Sequence, residues 1–60
     1  MKKAFYNNIF NLYKQAGTET RKTGLEYWRA ILNDAAKTND QDRIIHAARM
    51  IAAITDANNI

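Results

Sequence analysis

The sequence predicts an all-α fold, a compact three-helix bundle that forms one domain over residues 1–60. Apolar residues recur every three or four positions along most of the chain, which is the spacing of one face of an α-helix. The chain has no proline, and its only glycines, Gly17 and Gly24, bracket a polar segment between two such patterns. With no cysteine, a chain of 60 residues must be stabilised by dense helix packing or by self-association.

The first helix is predicted over about residues 2–16. Placing successive residues 100° apart puts one apolar stripe along it, formed by Phe5, Ile9, Leu12 and Ala16. Aromatic side chains follow the flank of this stripe: Tyr6, Phe10 and Tyr13. Gly17 comes after the last periodic residue, where a left-handed cap residue is expected to end the helix.

The second helix is predicted over about residues 23–37, with an apolar face of Leu25, Trp28, Ile31, Leu32 and Ala35. Its start has two interpretations. Thr23 and Glu26 form a capping box in the segment "TGLE". Thr18 is an equally suitable cap, but a start there would place Gly24 inside the helix at a cost of about 1 kcal/mol. Residues 18–23 offer no apolar side chain for packing, so the sequence favours the start near Thr23.

The third helix is predicted over about residues 40–57, capped by Asn39 or Asp40. Its apolar arc covers roughly 200°, although one buried face needs only about 100°. The centre of the arc is the stripe Ile44, Ala48, Ile51 and Thr55, and a wet side is marked by Asp42, His46, Arg49 and Asp56. A helix of this kind lies between two others or at an interface. We therefore expect dimerisation through the third helix, with the self-association residues Ile44, Ala47, Ala48, Ile51 and Ile54.

Groups needed for catalysis are scarce in this chain. It has no serine and no cysteine, and His46 is its only histidine. Asp42 lies one helical turn before His46, but such a pair on a helix surface is normally a weak stabilising contact. No Gly-rich phosphate loop and no cluster of metal ligands is present, and a chain this short lacks the volume for a large water-excluded pocket. The sequence therefore predicts a protein that is not an enzyme, with no catalytic residues, metal or cofactor.

The net charge of +3 is unevenly placed along the sequence. Residues 1–24 contain five basic residues and one acidic residue, a balance of +4, whereas residues 25–60 contain four basic and five acidic residues, a balance of −1. A basic first half suggests an acidic partner, either a phosphate backbone or an acidic protein surface. No apolar run approaches the roughly 20 residues of a membrane span. Together with the absence of cysteine, this predicts a cytoplasmic protein without a membrane partner.

The favoured functional hypothesis is a non-catalytic interaction module that binds and modulates a larger protein. Tyrosine, tryptophan and arginine are enriched at the hot spots of protein interfaces, so charged and aromatic residues are the candidates for partner contact. The predicted contact residues are Arg21, Lys22, Tyr27 and Arg29, with Tyr6 and Phe10 beside them. In size and type the predicted protein resembles the small regulatory proteins of phages and plasmids as a class, and this likeness of architecture implies a regulator or inhibitor.

The alternative hypothesis is a regulator that binds nucleic acid through the basic surface of residues 14–37. Its basic residues are Lys14, Arg21, Lys22, Arg29 and Lys37, with tyrosines nearby for stacking on bases. A recognition helix should present polar and basic residues from its first turns. The third helix instead begins "NDQDRIIHAARM", with Asp40 and Asp42 where phosphates would approach. This pattern makes the protein partner the better interpretation.

Overall fold

The computed structural model describes residues 2–59 and confirms the all-α fold. Its three helices are α1 (Lys2–Gln15), α2 (Thr18–Lys37) and α3 (Gln41–Asn58). Both α1 and α2 pack extensively against α3, whereas α1 and α2 meet only sparingly. The principal dimensions are 33 × 27 × 13 Å, and the shortest corresponds to about two layers of helices, since packed helix axes lie 8–10 Å apart. The third helix is therefore the central element, which is one of the two arrangements that its wide apolar arc predicts.

Most residues of the buried core are small. The fully or nearly fully buried hydrophobic residues are Ala35, Ala47, Met50, Ala53, Ile54 and Ala57, and Ile54 is the largest fully buried side chain. Alanines at these positions let the helix backbones approach closely. Larger side chains such as Phe5 and Trp28 are only half-buried around this centre. Much apolar surface therefore remains partly accessible in the single chain.

The predicted cap of α3 is confirmed, but its buried stripe is rotated from the predicted one. The Asp40 carboxylate accepts a hydrogen bond from the Arg43 backbone N–H at 3.3 Å, and Arg43 also forms an ion pair with Asp34 of α2 at 2.8 Å. The Asp34 carboxylate raises the pKa of Arg43. The residues buried on α3 are Ala47, Met50, Ala53, Ile54 and Ala57, whereas Ala48 is exposed and Ile44, Ile51 and Thr55 are half-buried. The rotation follows from α1 and α2 both packing on one side of α3.

The predicted start of α2 near Thr23 is wrong, since the helix begins at Thr18 and includes Gly24. A charged side chain replaces the missing apolar contacts of this first segment. The Arg21 guanidinium donates to the backbone carbonyls of Tyr13 and Lys14, at 3.0 and 3.2 Å, and Nε donates to Oδ1 of Asn58 at 3.1 Å. These bonds join the start of α2 to the ends of α1 and α3. The polar segment is thus held in place by hydrogen bonding.

Gly24 lies inside the helix at the point where the Tyr13 side chain of α1 packs against it. A Cβ atom at Gly24 would lie 2.8 Å from Cε1 of Tyr13, well inside van der Waals contact. Gly17 does not adopt the predicted left-handed cap; with φ −59° and ψ 171° it is the extended N-cap residue of α2. The residue with positive φ among those described is Asn39, at 56°, in the turn before α3.

The contact face of α1 keeps Phe5, Ile9 and Ala16 of the predicted stripe, which are half-buried, but the helix is rotated toward its aromatic flank and leaves Leu12 out. Leu12 is 63% exposed, whereas Tyr6, Phe10 and Tyr13 are half-buried. The Tyr6 hydroxyl donates a hydrogen bond to the Asp56 carboxylate of α3. Three aromatic rings bury more area than one leucine, and this hydrogen bond adds to the preference for the rotated orientation.

Candidate partner-binding surface

Helix α1 covers only one side of the antiparallel pair formed by α2 and α3. The antiparallel arrangement follows from two contacts, Arg21 with Asn58 at one end and Asp34 with Arg43 at the other. On α3, α1 contacts His46 through Phe5, with ring centroids 5.5 Å apart. On α2 it reaches Gly24 through Tyr13. These contacts define the covered side of the pair, and the helical positions on the opposite side face away from α1.

The opposite side of the pair is apolar and is called here the open face. Its helix α3 contributes three exposed residues, Ile45, Ala48 and Ala52, and Ile45 is 46% exposed. Half-buried residues lie along the line where the two helices meet, namely Leu25 and Leu32 of α2 and Ile44 and Ile51 of α3. The open face thus consists of Leu25, Leu32, Ile44, Ile45, Ala48, Ile51 and Ala52. None of these residues is charged or polar.

The two edges of the open face differ in charge. Lys22 and Arg29 are both exposed on α2 and lie seven residues apart, which is about two helical turns or 10.5 Å along the axis. Their helical positions border the side of α2 that carries Leu25 and Leu32. The α3 edge is formed by Ile45 and Ala52, and the exposed Arg49 lies about 40° beyond Ile45 around the helix. The open face therefore has two basic residues on its α2 edge and one beside its α3 edge.

The structure brings together only part of the predicted contact set. Lys22 and Arg29 share an edge, but Tyr27 projects from α2 about 150° away from them and is 60% exposed. Arg21 is half-buried, and in addition to its bonds to α1 and α3 it donates to the Thr18 hydroxyl at 3.1 Å. It therefore serves the fold directly. Tyr6 and Phe10 lie on α1 and stack on each other, with ring centroids 6.0 Å apart.

The predicted self-association residues are likewise divided by the fold. Ala47 and Ile54 are fully buried within the single chain and leave no surface for a second molecule. Ile44, Ala48 and Ile51 belong to the open face. The prediction missed Ile45 and Ala52, although both lie on the flank of the predicted apolar arc. The width of the arc indicated them, but only the positions of α1 and α2 show which part remains uncovered.

A second surface feature lies where the end of α1 meets the first half of α2. An open notch of about 400 Å³ is lined by Tyr13, Glu19, Thr20, Thr23, Gly24 and Tyr27. Tyr27 also makes an edge-on contact with Trp28, with ring centroids 5.2 Å apart. The notch is shallow and opens widely to solvent, and it lies away from the basic edge of the open face.

The described residues bring together no group of three or more histidine, cysteine or acidic side chains that could hold a metal ion. His46 packs between aromatic rings, 5.5 Å from Phe5 and 5.3 Å from Trp28 between centroids. It therefore helps to close the end of the core, although the residue as a whole is exposed. Within residues 2–59 no helix has the length and hydropathy required to cross a membrane.

The basic residues proposed for nucleic-acid binding are dispersed. Along the outer side of α2 the charges alternate in sign, through Glu19, Lys22, Glu26 and Arg29. Lys14 is on α1, with its ammonium 5.7 Å from the centre of the Phe10 ring. Arg21 is occupied by intramolecular hydrogen bonds. The described surface therefore offers alternating charges along α2, where a phosphate backbone would be best matched by a continuous basic stripe.

No protein-family model matches this chain, and no curated protein or solved structure shows detectable similarity to it.

Proposed function

We propose that this protein is a small non-catalytic interaction module that binds and modulates a larger protein through the open face, in the manner of small phage or plasmid regulators. The observation that carries the proposal is the uncharged apolar surface that α1 leaves uncovered on α2 and α3. Contiguous exposed apolar surface bordered by polar residues is typical of protein interaction sites. The protein would act by covering a site on its partner. The role of that site would determine whether the partner is regulated or inhibited.

A protein fits this surface better than a nucleic acid does. The centre of the open face offers only hydrocarbon groups such as Ile45 and Ala48, which gain free energy when another apolar surface removes them from water. Phosphates require a dense set of positive charges. Lys22 and Arg29 on one edge and Arg49 beside the other provide only three such charges around the apolar surface, which suits the charged rim of a protein interface.

The dimensions of the open face are also suitable. Helix α3 has 18 residues, which corresponds to a length of about 27 Å. Such a strip suits an interface of modest size. Affinity would then depend on a few well-placed contacts more than on the total buried area.

The test is affinity capture from a lysate of the source cells, with and without nuclease, using the unmodified protein and two variants. Ala48→Glu places a charge in the centre of the open face, where the exposed alanine leaves room for it. Ala4→Glu makes the same change at an exposed position of α1 and is the matched control. We expect a stoichiometric, nuclease-resistant partner that is lost with Ala48→Glu and retained with Ala4→Glu.

Equal capture by both variants would show that the open face is not the binding site. Material that disappears with nuclease would instead support the regulator that binds nucleic acid through Lys14, Lys22, Arg29 and Lys37. That alternative also predicts an affinity that falls steeply with salt concentration, because each neutralised phosphate releases counterions.

A further inference from the structure

We infer that the open face receives an amphipathic α-helix of the partner, whose apolar stripe is bordered by acidic residues on the flank that meets α2. This inference rests on the proposed function and specifies the chemistry of the partner. Its basis is the combination of an apolar groove between two antiparallel helices with the basic edge that Lys22 and Arg29 form on α2.

The burial and helical positions of four apolar residues indicate a groove between α2 and α3. Leu25 and Leu32 of α2 and Ile44 and Ile51 of α3 are half-buried along the line where the helices meet, so they form its floor. Because α2 and α3 run antiparallel, the groove extends along the length of both. Laying the apolar face of a helix into such a groove is a recurrent mode of recognition.

Small side chains on the α3 side of the groove favour close approach. Ala48 and Ala52 are exposed and lie one turn apart. The distance between packed helix axes depends on the side chains at the contact, so alanines allow the incoming backbone to come near the lower end of the usual range. The partner helix would then supply the larger side chains, leucine or isoleucine, that reach the floor of the groove.

The charge of the basic edge specifies the flank of the partner helix. Lys22 and Arg29 are exposed and about two helical turns apart. Glu26 lies between them in sequence, but its helical position is further from the groove than either. An antiparallel or parallel partner helix would therefore match this edge with two acidic residues seven positions apart. On the other flank, Ile45 and Ala52 suit apolar or small residues, with the exposed Arg49 just beyond them.

A second copy of this chain fits the open face less well than such a helix. Two copies would each contribute Lys22 and Arg29 to the rim of the shared surface. The acidic residues of α3 are not available on the open face, since Asp56 accepts the hydrogen bond of Tyr6 and Asp42 lies on the far side of the helix. Charge complementarity therefore favours an acidic partner.

The experiment measures the binding of two synthetic 18-residue helical peptides to the full chain by fluorescence anisotropy. Both peptides have the same leucine stripe at helical spacing. One has glutamates at two positions, seven residues apart on one flank, and the other has lysines there. We expect the glutamate peptide to bind at least about tenfold more tightly at low salt, with a preference that weakens as salt is added.

The double variant Lys22→Glu/Arg29→Glu should reverse this preference, so that the lysine peptide binds more tightly. Lys3 is an exposed lysine of α1 outside the open face, and Lys3→Glu is the control that should retain the original preference. Ala48→Glu should abolish binding of both peptides. The far-ultraviolet circular dichroism of every variant should match that of the unmodified chain, which separates loss of binding from loss of folding.

Failure to bind either peptide, or equal binding of both, would overturn the inference. So would sedimentation of the unmodified chain as a dimer that Ala48→Glu dissociates, because a second copy would then occupy the face. If neither peptide binds, but Ala48→Glu still abolishes capture of the cellular partner, the acidic-helix inference is wrong and the proposed function stands. If Ala48→Glu changes neither peptide binding nor capture, both are wrong.

Discussion

Arg21 makes hydrogen bonds to three parts of the chain from a position near the start of α2. Its acceptors are the carbonyls of Tyr13 and Lys14, the Asn58 side chain and the Thr18 hydroxyl. The last carbonyls of a helix have no partner within it, so the guanidinium satisfies groups that α1 itself leaves free. A segment without apolar side chains is thereby fixed against two other helices.

Replacing Arg21 with alanine should therefore destabilise the fold by about 1–2 kcal/mol, the range for losing hydrogen bonds to a charged group at a partly exposed site. The free energy of unfolding in urea measures the effect. Lys22→Ala is the matched control, since Lys22 is exposed and such surface changes normally stay within about 0.5 kcal/mol. Equal effects of the two substitutions would show that the Arg21 contacts contribute little.

Gly24 provides a second test at the scale of single residues. In an open helix, Gly→Ala should stabilise by about 1 kcal/mol. Here the new Cβ would lie 2.8 Å from the Tyr13 ring, so we expect Gly24→Ala in the unmodified chain to give no gain or a loss. In a Tyr13→Leu background the same substitution should recover the gain.

The difference between the two backgrounds is the coupling energy, expected to be about 1 kcal/mol and measured by urea denaturation of the four chains. Additive effects would mean that the Tyr13 ring does not press on Gly24. In that case the glycine would have no packing reason to be in the helix.

Tyr6 links stability to alkaline pH. Its hydrogen bond to the Asp56 carboxylate, together with burial and the negative charge of Asp56, raises the pKa of Tyr6 above the usual 10.0. A group whose pKa is raised by folding stabilises the folded state fully below its unfolded pKa, and this contribution disappears as the pH rises through the folded pKa. The contribution of Tyr6 is therefore present at neutral pH and lost above about pH 10.

We expect the unmodified chain to lose more stability between about pH 8 and pH 11 than Tyr6→Phe does, as measured by urea denaturation at both pH values. Tyr27→Phe is the control, because Tyr27 is exposed and lies away from Asp56. The hypothesis is wrong if all three proteins lose stability equally over this interval.

At the scale of the helix, the orientation of α3 about its own axis is the most consequential feature. The same apolar arc has Ile54 fully buried and leaves Ile45 46% exposed. Neighbouring helices decide which isoleucine belongs to the core. Two isoleucines of the same arc therefore have different environments, one in the core and one on the surface.

This orientation predicts unequal costs for two identical substitutions. Ile54→Ala should destabilise by about 3 kcal/mol, because it leaves a cavity in the core, whereas Ile45→Ala should cost less than about 1 kcal/mol. Since a domain of this size has only a few kcal/mol of stability in total, Ile54→Val provides a milder variant, with an expected cost of about 1 kcal/mol. Similar costs at positions 45 and 54 would contradict the orientation of α3.

For the whole molecule, a thin core and an uncovered apolar face have the same origin. The three helices form only about two layers, which cannot bury every large side chain. The centre of the core is mainly alanine, and the larger side chains at its rim remain half-buried. A partner on the open face would bury part of this rim. Binding should then stabilise the fold as well as form the complex.

The acidic peptide described above should consequently raise the melting temperature. At a peptide concentration of about 100 times Kd, linkage predicts a gain of about 2.7 kcal/mol, which corresponds to roughly 10–20 °C for a domain of this size. Thermal unfolding followed by circular dichroism measures this shift. Ala48→Glu should show almost no shift with the same peptide, and an equal shift in that variant would indicate binding elsewhere.

The helices follow from local patterns and could be predicted from the sequence. The periodicity, the polar turn and the Asp40 cap were sufficient for an all-α fold of three helices, because these features depend on residues close together along the chain. The wide apolar arc of α3 left open whether that helix lies between the other two or at an interface. Lys22 and Arg29 could also be named from the sequence as exposed basic residues. Their roles as contact residues, and dimerisation, remain predictions.

The orientation of each helix and the start of α2 depend on contacts between helices, so local sequence patterns did not predict them. The Arg21 bonds and the contact of Tyr13 with Gly24 join residues in different helices, so no local propensity indicates them. The same is true of the open face, since a wide apolar arc does not show which part its neighbours will cover. The uncovered part depends on the side to which α1 and α2 pack, and that is a property of the whole molecule.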